Sequence, residues 1–202
     1  LPMNNTHKII DKAKQGLRIS LKEALQLVKT ASIHDLGRLA YQIRTKLYAD
    51  QAFYVYNQHI NYTNICQNAC RFCAYSKRPG QDGAYTYSID QIKEAIKSRI
   101  NEPIQEVHIV GGLNPDLPYS YYLELLKSIK EIRPGVKIKA FTAVEIAFLA
   151  DKYDLSPARV LQELHEAGLD ALPGGGAEVF DPLLRQKLCP EKISGQQWLN
   201  IH

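Results

Sequence analysis

The sequence predicts an α/β fold: a partial (β/α) TIM-type barrel of about four βα units, preceded by an N-terminal helical extension. Three observations carry this expectation. Residues 4–50 show helical periodicity and no residues suited to chemistry. From about Phe53 onward, short apolar runs alternate with amphipathic helical patterns, as in parallel strands joined by right-handed crossovers. The residues capable of chemistry fall just after the apolar runs, at the strand ends where a β/α barrel builds its site. The expected division is a helical extension over residues 1–50 and half of a barrel over 51–202.

The elements follow in order. Ser20-Leu21-Lys22-Glu23 is a capping box, in which Ser20 and Glu23 satisfy each other's end of a first helical turn. Leu21, Ala24, Leu25 and Val28 then make one apolar stripe. A second stripe, Leu36, Leu39, Ala40, Ile43 and Leu47, marks a helix from about Ile33 to Tyr48. The first strand is expected over Tyr54–Tyr62, which is rich in β-formers. Ser88-Ile89-Asp90-Gln91 caps a helix with Ile89, Ile92, Ile96 and Ile100 inward. Gln105–Val110 reads as the second strand, and Tyr119–Ile132 as a helix stopped by Arg133-Pro134-Gly135. Val136–Phe141 reads as the third strand, followed by a short helix over Ala143–Ala150. Ser156-Pro157 opens another helix, ending at Gly168. Leu169–Leu172 is the expected fourth strand, and Pro173-Gly174-Gly175-Gly176 the loop after it.

Composition bounds the function. The 202 residues are 45% apolar, enough for one sizeable domain, with no apolar run of membrane-spanning length. The net charge of +4 is spread among both signs, which argues against a nucleic-acid partner. The start, Leu1-Pro2-Met3-Asn4-Asn5-Thr6-His7, is polar and unlike a signal peptide; Met3 reads as an initiator, with Leu1 and Pro2 as additions ahead of it.

Three of the four cysteines, Cys66, Cys70 and Cys73, fall within eight residues at C-x3-C-x2-C spacing. A disulfide framework does not fit, since one bridge to Cys189 still leaves two thiols free. Structural zinc would need Cys189 as a distant fourth ligand. Three thiolates on one short loop suit an iron–sulfur cube with one iron left open. Reduced cysteines of this kind imply a cytoplasmic, low-oxygen setting.

Other positions carry paired readings. Gly111 and Gly112 either admit the amino-acid end of a ligand or make a tight turn of positive φ. Thr142 and Glu145 follow the third strand, and Thr-x-x-Glu is also a capping box. Gly174, Gly175 and Gly176 either expose amides to a carboxylate or form a flexible loop, and Glu178 faces the pocket or caps a turn. His59 and His108 lie on strands, where an isolated His is more often core or rim than ligand. Cys189 reads as a structural thiol. Tyr75, Tyr85 and Tyr87 flank the cysteine loop and are placed to wall it from water.

The C-x3-C-x2-C motif resembles that of the radical S-adenosylmethionine (SAM) enzymes, and Phe72, before the third cysteine, fits that family's habit. There the second strand commonly ends Gly-Gly-Glu; here Leu113 follows Gly111-Gly112. The runs His59–Asn64, Cys66–Tyr75, Val110–Pro115, Ala140–Ile146 and Ala167–Phe180 resemble the radical SAM enzymes of the futalosine route to menaquinone. Cyclic dehypoxanthine futalosine synthase and the deazaflavin-forming FO synthase subunit are close sister families. Both usually read Gln-Gly-Gly and Ser-Pro where this chain has Val110-Gly111-Gly112 and Thr142-Ala143-Val144-Glu145, so it looks most like the aminofutalosine synthases.

The resemblance implies a radical SAM barrel, with a 4Fe-4S cluster on Cys66, Cys70 and Cys73 and SAM at the open iron. It implies SAM contacts from Phe72, Tyr75, Gly111, Gly112, Thr142, Gly174 and Gly175, and catalytic parts for Glu145 and Glu178. In that family a 5′-deoxyadenosyl radical adds to the enol-ether double bond of 3-[(1-carboxyvinyl)oxy]benzoate, and loss of a carboxyl group gives aminofutalosine. Flavodoxin or ferredoxin is the typical electron donor, and Lys77 and Arg78 are candidate holders of the substrate's carboxylates. Those enzymes are about twice as long, so the resemblance covers an N-terminal half. The competing class is an iron–sulfur or zinc module without turnover.

Overall fold

A computed structural model describes residues 5–202; the start, with its initiator-like Met3, lies outside the described residues. Two compact units divide the chain, Leu1–Tyr54 and Val55–His202.

The first unit holds three helices: α1 (Asn5–Lys14), α2 (Leu21–Thr30) and α3 (Ile33–Tyr48). The Ser20–Glu23 capping box forms as expected and starts α2. The buried core is small, made of Ile9, Ile10, Leu27 and Leu39. The expected inward stripe of α2 is corrected: Leu21 is 88% and Val28 76% exposed, and Leu27 is the residue that packs inward. On α3 only Leu39 is buried, while Ile43 and Leu47 stay exposed. Three short helices pack around one small core, so each buries a narrow stripe, and the apolar residues of these sequences outnumber the places available.

The second unit holds a three-stranded parallel sheet, β1 (Asn57–Ile60), β2 (Glu106–Ile109) and β3 (Lys137–Ala140), in the order β1-β2-β3. Between strands run α4 (Ile89–Lys97) and α5 (Tyr119–Ile132). After β3 come α6 (Ala143–Lys152), α7 (Pro157–Glu166), α8 (Pro182–Leu188) and α9 (Gly195–Ile201). Side chains alternate along each strand. Ile60, Val107, Ile109, Ile138 and Ala140 turn into the core with Ile92 and Ile96 of α4 and Leu125, Leu126 and Ile129 of α5. Ile100 lies beyond the end of α4 and is exposed.

The expected fourth strand is reduced to one parallel bridge, Lys139 to Ala171. Asp170 is the reason. Its carboxylate accepts the Ile138 N–H at 2.9 Å, the donor that a further ladder bond would have used. Lys130 and Lys137 hold that carboxylate at 2.8 and 3.0 Å. Pro173 then offers no N–H, and the glycines after it favour a turn. No described helix is long and apolar enough to cross a membrane.

Candidate active site

The segment after β1 is stitched onto the carboxyl end of the sheet before it delivers its cysteines. Gly112 N–H donates to Thr63 O at 3.0 Å, and Gln67 N–H to Leu113 O at 2.9 Å. Asn64 holds the far side, giving Nδ2–H to Gly83 O and accepting the Tyr85 N–H, each at 2.8 Å. Arg78 donates to the carbonyls of Cys66 and Gln67. Its guanidinium therefore braces the loop, and neither Arg78 nor Lys77 lines the cavity behind it.

Close approach explains both strand-end glycines. A Cβ on Gly112 would stand 2.1 Å from Ile65 O and 2.9 Å from Cys66 Cβ. A Cβ on Gly111 would stand 2.5 Å from the Tyr62 ring. Neither has positive φ, so the tight-turn reading fails; the absent side chains instead make room for the Tyr62 ring and the Ile65 backbone. The end of β2 fits against the cysteine loop because those two side chains are absent.

Phe141 sits where β3 ends, with φ of 59° and a fully buried ring. Strand alternation would put it on the same face as Lys139. The left-handed backbone turns the ring the other way, into edge contacts with Tyr62 and Tyr122 at 6.0 and 5.8 Å. The next residue, Thr142, starts α6 and makes a capping box with Glu145. The Glu145 carboxylate is buried. It accepts the Thr142 N–H at 2.7 Å, the Thr142 hydroxyl at 3.0 Å, the Tyr62 hydroxyl at 3.0 Å and the Gly111 N–H at 3.2 Å. Burial pushes its pKa up to about 7, against the opposing pull of those four donors.

These elements enclose a cavity of about 250 Å³. Cys66, Cys70 and Cys73 line it, with Phe72, Tyr75, Gly111, Gly112, Thr142, Glu145 and Glu178. Gly174 and Gly175 do not reach it; Gly176 does. Gly174 meets open space, and Gly175 backs onto Thr142 while its carbonyl accepts the Trp198 indole N–H at 3.0 Å.

Asn64, Asn68, Val144 and Lys192 also line the cavity, and sequence reasoning missed them. Lys192 pairs with Glu178 at 2.6 Å and lies 5.3 Å from the Phe72 ring centroid. A buried arginine explains how it arrives. Arg185 of α8 donates to Ile193 O at 2.8 Å, Ala177 O at 2.6 Å and Val179 O at 3.0 Å, tying the glycine loop to the segment that carries Lys192. Cys189 is buried at the end of α8, beside the loop, where Arg71 N–H donates to Leu188 O at 2.9 Å.

All four cysteines are free thiols. Burial raises the Cys70 thiol pKa. Burial also opposes ionisation at Cys73, yet donors from Tyr75 and Ser76, with Lys192 nearby, bring it below the ordinary value. Among the described residues, no three His, Cys, Asp or Glu side chains already close at metal-ligand distance. The three thiols share one cavity wall without meeting at a point. Such a donor set would hold an iron–sulfur cluster on Cys66, Cys70 and Cys73, and Glu145, Glu178 and Lys192 line the same cavity.

The parallel sheet, the three-thiol loop at its carboxyl edge and the cavity between them make a partial α/β fold with a site suited to an iron–sulfur cluster. Residues 60–202 match the radical SAM superfamily, and the chain belongs to it. The cofactors of that family are a 4Fe-4S cluster and SAM. Among curated proteins the chain is 38% identical over 194 residues to an aminodeoxyfutalosine synthase from Thermus thermophilus, covering 96% of this chain and 52% of that protein. It is 36% identical over 193 residues to a cyclic dehypoxanthine futalosine synthase from Halalkalibacterium halodurans, covering 95% and 52%. The chain thus spans about half the length of the curated relatives it matches. The crystal structure of methylornithine synthase shares the fold, with a TM-score of 0.68 at 23% identity, over 96% of this chain and 54% of that one.

Proposed function

We propose that the chain carries the cluster-binding part of an aminofutalosine synthase, a transferase of menaquinone biosynthesis acting on 3-[(1-carboxyvinyl)oxy]benzoate. The observation that carries this reading is the 38% identity to the Thermus thermophilus synthase along nearly the whole chain. Val110-Gly111-Gly112 and Thr142-Ala143-Val144-Glu145 support it, as they depart from the sister families' usual residues.

Cys66, Cys70 and Cys73 would hold the cluster. When bound, the cluster and SAM supply a 5′-deoxyadenosyl radical that joins the substrate's enol-ether double bond. The protein's part is to position and to exclude. Glu178 and Lys192 offer a paired negative and positive group to the two charged ends of an amino acid, and both line the cavity. Phe72 and Tyr75 supply apolar wall, and Glu145 a carboxyl that can carry a proton near neutral pH. Gly174 and Gly175 shape the approach of Gly176 in this reading, and contact with ligand passes to Gly176. The setting is cytoplasmic, with flavodoxin or ferredoxin as electron donor. Residues 1–50 act as a helical extension to the part-barrel over 51–202.

A second reading, cyclic dehypoxanthine futalosine synthase, is favoured by the 36% identity to that enzyme. The test is anaerobic reconstitution with iron and sulfide, then incubation with SAM, dithionite and the carboxyvinyloxybenzoate, with mass spectrometry of the nucleosides. Aminofutalosine supports the proposal. Turnover of dehypoxanthine futalosine in its place supports the second reading. A colourless, zinc-holding protein returns the chain to the structural-module class.

A further inference from the structure

β1, β2 and β3 are in register, so His59, His108 and Lys139 stand in one row across the sheet. At a strand spacing of about 4.8 Å, the row spans roughly 10 Å. It occupies the face opposite the helix-packed core. The two imidazoles stack, with centroids 5.0 Å apart and planes 25° from parallel. His59 Nε2–H donates to Asn61 Oδ1 at 2.7 Å.

The charges facing the row are few. Glu106 holds Lys139 at 2.8 Å and approaches His108 Nδ1 at 4.0 Å. Lys137 is held by Asp170. One carboxylate therefore faces one lysine and two titratable rings. Burial, then His59, with Lys139 adding to them, holds the His108 pKa below its ordinary value. Positive charge on His108 is disfavoured beside Lys139, and an anion placed at His108 and Lys139 would offset that.

The row also leads to the thiol cavity. Val110 lies two residues beyond His108, just past the end of β2, and lines the cavity. Asn61 lies two residues beyond His59, and its carbonyl accepts the Tyr85 hydroxyl at 3.2 Å. Tyr85 in turn shares a hydroxyl contact with Tyr75, another lining residue.

We propose that the His59–His108–Lys139 row is a subsite for an aromatic carboxylate, its ring against the imidazole pair and its carboxylate at His108 and Lys139. The identity of the ligand, the benzoate end of the substrate, rests on the function proposed above. Held there, the ligand's remaining atoms extend toward the thiol cavity.

The test is an NMR titration of the cluster-free chain with 3-hydroxybenzoate, which lacks the reacting double bond. Saturable shifts are expected at His59 and His108, with His165 of α7 unmoved. Binding should weaken by about tenfold or more in Lys139→Met, in His59→Ala and with 3-hydroxybenzyl alcohol as ligand. His59 is exposed, so His59→Ala keeps the fold. Absence of saturable shifts, or equal drift of all histidine rings, overturns the subsite. Aminofutalosine formed by an enzyme whose row does not bind the probe would also overturn it while leaving the function standing. Saturable binding on the row without any product keeps the subsite and counts against the synthase reading.

Discussion

The Tyr62 hydroxyl donates to the Glu145 carboxylate at 3.0 Å across 83 residues of sequence, and both groups are buried. This bond joins the start of the cysteine loop to the first turn of α6. The same carboxylate takes the Gly111 N–H, so three strand ends meet at one residue.

Glu145→Ala leaves four donors without their acceptor, and stability should fall by roughly 2–4 kcal/mol in urea unfolding. Glu145→Gln keeps one oxygen and should lose less.

The raised pKa of Glu145 fixes the sign of a pH effect. Its ordinary value is 4.5 and its folded value about 7, so between these the folded state binds the proton that the unfolded state has released. This stabilising contribution is complete below about pH 4.5 and is lost as pH rises through 7. Wild type should therefore lose on the order of 3 kcal/mol across that window relative to Glu145→Gln. Parallel stability–pH curves for the two proteins would contradict the assignment.

Gly112→Ala forces a Cβ against the backbone oxygen of Ile65. The loop must shift, at a cost of about 1–3 kcal/mol or more. Iron uptake on reconstitution should drop with it. Gly174→Ala meets nothing within 4 Å and should leave both thermal stability and iron uptake unchanged.

Arg185→Lys keeps the charge but cannot serve carbonyls of Ala177, Val179 and Ile193 together. Hydrogen exchange over residues 176–193 should speed up, while exchange in α4 and α5 stays unchanged. Uniform loss of protection throughout the second unit would show that Arg185 supports the whole core and not this one junction.

Much of this was legible in sequence, and particular residues show why. Cys66, Cys70 and Cys73 declare themselves by spacing, and Ser20, Ser88 and Thr142 by the Glu or Gln three residues on. Those are local signals. Lys192 and Arg185 act through carbonyls and a carboxylate supplied by a separate loop, and nothing adjacent in sequence marks them. The fourth strand failed because Asp170 puts a side chain where strand pairing needs a carbonyl, a substitution that apolar periodicity does not register. The stripe of α2 failed for a different reason: amphipathicity shows that a face can be buried, while the size of the surrounding unit decides whether it is.

The three loop thiols, and not Cys189, are proposed to hold one iron–sulfur cluster. Iron and sulfide should be counted after anaerobic reconstitution of wild type, Cys66→Ala, Cys70→Ala, Cys73→Ala and Cys189→Ala. About four irons per chain are expected in wild type and in Cys189→Ala, with clear loss in each loop variant. Equal loss in Cys189→Ala, or zinc in place of iron in wild type, would contradict it.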